Sequence, residues 1–179
     1  MAGIMLTDPG FGRGQTLGVT KPTEGTAITG TQKAFTDSDP TGKTAGTFFS
    51  NRPVTCIAVR NTSGSPLLPG TVAKLKSTAL LDEVDGAAPK GGGMIGIVDE
   101  YLPSTGVKEN DVFWLVVSGP TSITTTANFT AGAAVTATTG KATVGDVSAA
   151  PYEVFGYALA AAANGKVRAV IGVPGQHAA

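Results

Sequence analysis

Residues 129–145 read FTAGAAVTATTGKATVG, a stretch with one charge and no histidine, cysteine or carboxylate. Small apolar residues and threonines alternate along it, the pattern of an extended strand with one face buried. Gly132 opens the unit, Val135 and Ala137 face inward, and Thr139-Gly140-Lys141 turns the chain. The stretch also has an earlier counterpart. LPGTVAKLK, GIVDE and VFWLVVSGP return in the same order as TAGAAVTAT, GYALA and VRAVIGVPG. Gly70 and Gly96 lie 26 positions apart, and Gly132 and Gly156 lie 24 apart. Either half alone has too few strands to bury its apolar face, so the echo predicts two related β-units closing one small barrel.

From Arg52 onward the chain is strand-like. VTCIAV, GTVAKLK, MIGIVDEYL, DVFWLVVSG, AAVTAT, KATVG, YEVFGYALA and KVRAVIGV are separated by clusters of Gly, Pro, Asn and Asp. The polyalanine in ALAAAANGK favours helix, but Asn164-Gly165 between two apolar runs is a two-residue hairpin signal and is read as one. The chain is therefore mainly β: a compact β-barrel or β-sandwich domain over residues 51–179, preceded by a long extended Gly/Thr-rich N-terminal arm over residues 1–50. Nine glycines and eleven threonines fall in that arm, and its apolar residues keep no period for long. A solvating tail would be richer in charge and poorer in phenylalanine, so the arm is expected to order against a partner surface.

Composition narrows the function. The chain has 179 residues, 41% of them hydrophobic, enough for one domain with a core. Thirteen basic side chains balance thirteen acidic ones, which gives no field to steer the chain toward nucleic acid or an anionic membrane. The lone cysteine, Cys56, sits in the alternating run PVTCIAV and reads as a small buried apolar residue. The N-terminus lacks a basic start and its apolar run stops at Leu6, so neither a signal peptide nor a membrane span is expected, and the protein is expected to be made and to remain soluble in the cytoplasm.

Chemistry is harder to find. Gly42-Lys43-Thr44 ends like a phosphate-binding loop, but the first glycine of that motif would fall at Asp37, and Pro40 removes a backbone donor. The one histidine, His177, is the third residue from the end. Asp37 with Asp39, and Asp82, Glu83 and Asp85, lack the spacing of a calcium loop and read as solvated carboxylates. Asp99 and Glu100 follow a strand, and alternation would point them to opposite faces. Phe113 and Trp114 are expected to divide the same way, one inward and one outward toward a subunit contact. No catalytic residue, metal ligand or cofactor site is expected.

PGTVAKL, GIVDEYL, VKENDVFWLVVSGP, AGAAVTAT and FGYALAAAANGKVRAVIGV, over about residues 64–173, resemble the small capsid decoration, or cement, proteins of tailed bacteriophages. The resemblance rests on glycines and aliphatic residues in a fixed order. It implies an accessory virion protein made in the host cytoplasm, a β-barrel or β-sandwich that forms trimers on the outer capsid surface, with the major capsid protein as partner and no catalytic residues or cofactor. The long arm departs from the shortest members. On this reading the arm is the anchor, and Leu6, Phe11, Leu17, Phe35, Phe48 and Phe49 supply its grip. Two other classes stay open: a head-fibre or receptor/carbohydrate-binding module of a virion, and an enzyme with an unusual carboxylate or threonine site.

Overall fold

The computed structural model describes residues 10–18, 28–37, 52–76, 82–90 and 95–172. Turn-forming residues punctuate the chain every few positions, and the elements between them are short strands. In chain order these are β1 (Gln32–Thr36), β2 (Pro53–Asn61), β3 (Val72–Leu75), β4 (Glu83–Ala87), β5 (Ile95–Val98), β6 (Val112–Thr124), β7 (Ala134–Thr138), β8 (Lys141–Val144), β9 (Gly156–Ala158) and β10 (Lys166–Ile171). One 3-10 turn spans Pro151–Glu153, and no α-helix occurs among the described residues. The mainly β class is as the sequence indicates. Both expected hairpins form: Thr139-Gly140 joins β7 to β8 and Asn164-Gly165 leads into β10, each pair with two positive φ values.

The strand pairings close into two rings. In the first, β2 pairs antiparallel with β6, β6 with β5, β5 with β3 and β3 with β4, and β4 returns parallel to β2 at Arg60 and Asn61. In the second, β6 pairs antiparallel with β10, β10 with β9, β9 with β7 and β7 with β8. The second ring closes where Ala142 of β8 runs parallel to Thr125, just past the end of β6. The order of antiparallel contacts and the parallel closure are the same in both rings.

The sequence repeat is therefore a structural repeat, and its hydrogen bonds match. Gly70 N–H donates to the Val98 carbonyl at 2.9 Å, as Gly132 N–H does to Ala158 at 2.8 Å. Val98 N–H donates to Thr71 at 2.9 Å, as Ala158 N–H does to Ala133 at 2.8 Å. What differs from the expectation is the closure: each unit completes its own barrel instead of contributing half of one. The reason is the length of β6, thirteen residues against three to nine in the other strands. One strand that long serves both units, and it changes neighbours at Gly119, whose φ is +102° and where a Cβ would press into the Pro53 carbonyl.

Alternation along β6 sorts the core. Phe113 and Leu115 join Val59, Leu67, Leu75, Val84, Val98 and Val107 in one apolar cluster, while Val112, Trp114, Val116 and Ile123 belong to a second that continues through Val135, Val167 and Ala169. Phe113 and Trp114 thus lie on opposite faces, as expected. The expected exposure of one of them does not follow: both are 0% exposed. The sheet is covered on both sides, so neither side chain is available to a second subunit.

Gly96 and Gly156 occupy equivalent places and differ in what surrounds them. A Cβ on Gly96 would meet the buried Leu115 side chain at 2.6 Å, whereas one on Gly156 would meet the Val170 backbone carbonyl. Gly156→Ala is expected to cost about 2–3 kcal/mol through forced backbone displacement, and Gly96→Ala is expected to destabilise as well, because the Leu115 side chain it meets is fully buried. Urea unfolding followed by circular dichroism measures both; an unchanged midpoint in either variant would contradict the close approach at that glycine.

Candidate interaction site

The first ring leaves parts of β2 and β6 unpaired. Within the first barrel, β5 meets β6 only at Leu115 and Val116, and β4 meets β2 only at Arg60 and Asn61. A buried N–H or C=O without a partner is costly, so something has to fill these gaps. The N-terminal region does. Thr16 bridges Phe113, Leu17 N–H donates to the Val112 carbonyl at 2.9 Å, and Gly18 N–H donates to Asp111 Oδ1 at 2.7 Å. On β2, β1 pairs from Gln32 opposite Ile57 to Thr36 opposite Pro53, and Gly30 and Thr31 extend the ladder to Ala58.

The same two segments cover the outward face of the shared sheet. The Phe11 ring stacks on Trp114 with centroids 4.8 Å apart, Phe35 meets it edge-on at 5.4 Å, and Trp114 Nε1–H donates to the Phe11 carbonyl at 3.0 Å. Leu17 and Ile28 pack against the same cluster. Of the residues expected to grip a partner, Phe11 is buried within its own chain, and Leu17 and Phe35 are half-buried against the same cluster. Leu6, Phe48 and Phe49 lie outside the described residues. In its described parts the arm is a strap across the barrels, and Cys56, beneath it, has its thiol pushed up to about 12 by burial, as befits a core residue.

A cluster of five charged side chains pins the strap. Arg13 Nε and Nη2 donate to Asp99 Oδ1 at 3.1 and 2.8 Å, and Gly14 N–H donates to Asp99 Oδ2 at 2.6 Å. Arg13 Nη2 also lies 3.6 Å from Glu100 Oε1, and its guanidinium sits 4.7 Å from the centre of the Tyr101 ring. From the second barrel, Arg168 donates to Glu100 through Nη1 and to Asp37 through Nη2. All five side chains are buried. Burial pushes the Asp99 carboxyl above its ordinary range, against the pull of Arg13 and the Gly14 N–H.

This cluster overturns two sequence readings. Asp37 is a fully buried ion-pair partner, not a solvated loop carboxylate. Asp99 and Glu100 serve one site, because β5 ends at Val98 and strand alternation no longer governs them. Arg168 offered the clearest missed signal: a charge inside the run KVRAVI, where Val167, Arg168 and Ala169 are all buried. Asp82 accepts a hydrogen bond from Thr29 of the N-terminal region, and Glu83 pairs with nearby Lys76. No group of three His, Cys, Asp or Glu among the described residues is placed to hold a metal.

Two surface features involve the second barrel. Val144 on β8, Val147 and Tyr152 form an exposed apolar stretch of the second barrel, with Tyr152 79% exposed. Where the barrels meet, a groove of about 510 Å³ is lined from both sides, by Leu68, Thr71 and Asp85 on one and Thr139 and Lys141 on the other.

Trp114 is the single tryptophan of the chain, so its fluorescence reports strap docking. Asp99→Ala leaves Arg13 without its main partner and is expected to cost about 3–5 kcal/mol, the usual penalty for breaking a buried pair from one side. Trp114 emission should shift to the red as Phe11 leaves, in Asp99→Ala and in Arg13→Ala alike, and the double variant should cost less than the sum of the two. Unchanged emission in both single variants would show that the cluster does not hold the strap.

No protein-family profile matches this chain, and no curated protein sequence does. Among solved structures the chain is similar to the base of the head fibre protein gp8.5 of bacteriophage phi29, at 19% identity and a TM-score of 0.47, over 66% of this chain and 93% of that one. A likeness this partial carries no function from one protein to the other.

Proposed function

We propose that this chain is a structural protein of a tailed-phage virion, and that it decorates the outer capsid surface and reinforces the coat lattice by binding, without a covalent step. The sequence resemblance over about residues 64–173 supports this, and that span coincides with most of the two-barrel body. The observation that carries the reading furthest is the apolar stretch on the second barrel. Val144, Val147 and Tyr152 fall within nine residues, on and just after β8, and none is needed to complete a core. Burying a large apolar side chain contributes roughly 1.5–3 kcal/mol, so this patch would give a modest contact that a repeating lattice multiplies.

On this reading the major capsid protein is the partner, copies of the chain associate as a trimer, and the contact falls to this patch instead of Phe113 and Trp114. The interior suits the task. A strap, two barrels and a buried charge cluster tied together yield a body that transmits load without rearranging.

The test uses phage heads prepared without the protein, to which the purified full chain is added. Saturable binding at many equivalent lattice positions, and a higher temperature of DNA release, are expected. The double variant Val147→Asp/Tyr152→Asp should bind at least about tenfold more weakly while keeping its circular dichroism spectrum. Density confined to the foot of a projecting fibre would favour a head-fibre component instead, and failure to bind heads at all would overturn the proposal.

A further inference from the structure

We propose that the groove between the two barrels is a binding site for a neutral, polyhydroxylated ligand, a short glycan. Its shape and lining are the first observation. About 510 Å³ is room for two or three sugar rings by the usual size of ligand clefts, and the walls come from separate parts of the chain: the β2–β3 connection, β4, the end of β6 and the β7–β8 turn. The site exists only because the two units are fused.

The second observation is the state of its polar groups. The side chains of Ser65, Thr71, Thr139, Asp85 and Lys141 make no hydrogen bond or ion pair with any other described residue, whereas Ser63 and Thr124, at the same groove, are already engaged with Asn61 and Pro69. Hydroxyls that donate and accept, with one carboxylate and one ammonium, match the alternating donors and acceptors of a sugar. Leu68, 54% exposed, adds an apolar surface for the C–H face of a ring. One negative and one positive group leave no net charge, which disfavours a phosphate or a polyanion. An extended peptide is disfavoured as well, because the backbone at the groove is already paired: Gly140 N–H donates to Ala88 at 2.9 Å and the Gly140 carbonyl accepts from Val72 at 2.8 Å.

The third observation is Thr139, held at φ 49°. Left-handed backbone is unfavourable for a β-branched residue, and a hairpin of this type prefers Asn, Asp or Gly at that position. Asparagine would make the same turn with less strain, but threonine sets a hydroxyl on the groove wall, and strain of this kind collects at functional sites. With no aromatic ring in the lining, each site binds weakly, in the millimolar range, and repetition over many copies supplies avidity.

The site does not depend on where the protein sits on a particle, so the full chain is tested alone. Amide chemical shifts are followed by NMR while maltotriose, cellotriose, chitotriose and a mannotriose are added in turn, with inositol hexakisphosphate and a neutral hexapeptide as the other probes. Saturable shifts at Thr71, Gly86, Thr139 and Gly140 with at least one sugar are expected. Asp85→Ala and Lys141→Ala should each weaken that binding about tenfold while leaving the rest of the spectrum in place, and Thr139→Asn should weaken it while raising the unfolding temperature. Flat titrations with all four sugars overturn the proposal. So do shifts confined to another surface, or binding here of the phosphate or the peptide alone.

Discussion

One strand has to satisfy two barrels. β6 donates and accepts ladder bonds with β2 and β5 along its first half and with β10 along its second, and it sends alternate side chains into two different cores. A strand in that position cannot be shifted by one residue without turning Phe113 and Leu115 out of one core and Trp114 and Val116 out of the other. Register is fixed twice over. The cost is that the first ring does not fully cover β2 and β6, which leaves backbone groups and an apolar face to be closed by some other part of the chain.

The N-terminal segments meet that need, and they do so in two ways at once. Their backbone completes the ladders of β2 and β6, and Phe11 and Phe35 close over Trp114. The charge cluster then sets where the strap can sit. Apolar contact alone would tolerate sliding, but Arg13 must reach Asp99, and Asp37 must reach Arg168 on the other barrel. Buried ion pairs contribute little net stability against a hydrophobic replacement, and their better-attested use is to specify one arrangement. Here the arrangement specified is strap, first barrel and second barrel as one body.

What the sequence disclosed was local. The turns at Thr139-Gly140 and Asn164-Gly165, the period of two in the strands and the spacing of Gly70, Gly96, Gly132 and Gly156 are signals within a few residues or a repeat, and all correspond to structure. The repeat did not say how its halves close, because that depends on the length of β6 and on a change of partner at Gly119 that leaves no mark in periodicity. The strap was legible only as something with phenylalanines to bury. Phe11 and Trp114 are about a hundred residues apart, and nothing near Phe11 names its partner. The charged site was hidden for a related reason: Asp37, in a stretch rich in Gly, Thr and Asp, looks solvated until Arg168 is brought beside it.

The strap is an integral part of the two-barrel body. Hydrogen exchange of the isolated full-length protein tests this directly. If the strap is integral, amides of residues 11–18 and 32–36 exchange as slowly as their partners on β2 and β6 and lose protection together with them as denaturant is added. Fast exchange of both segments while β2 and β6 remain protected would contradict it, and would make the N-terminal region an independent arm.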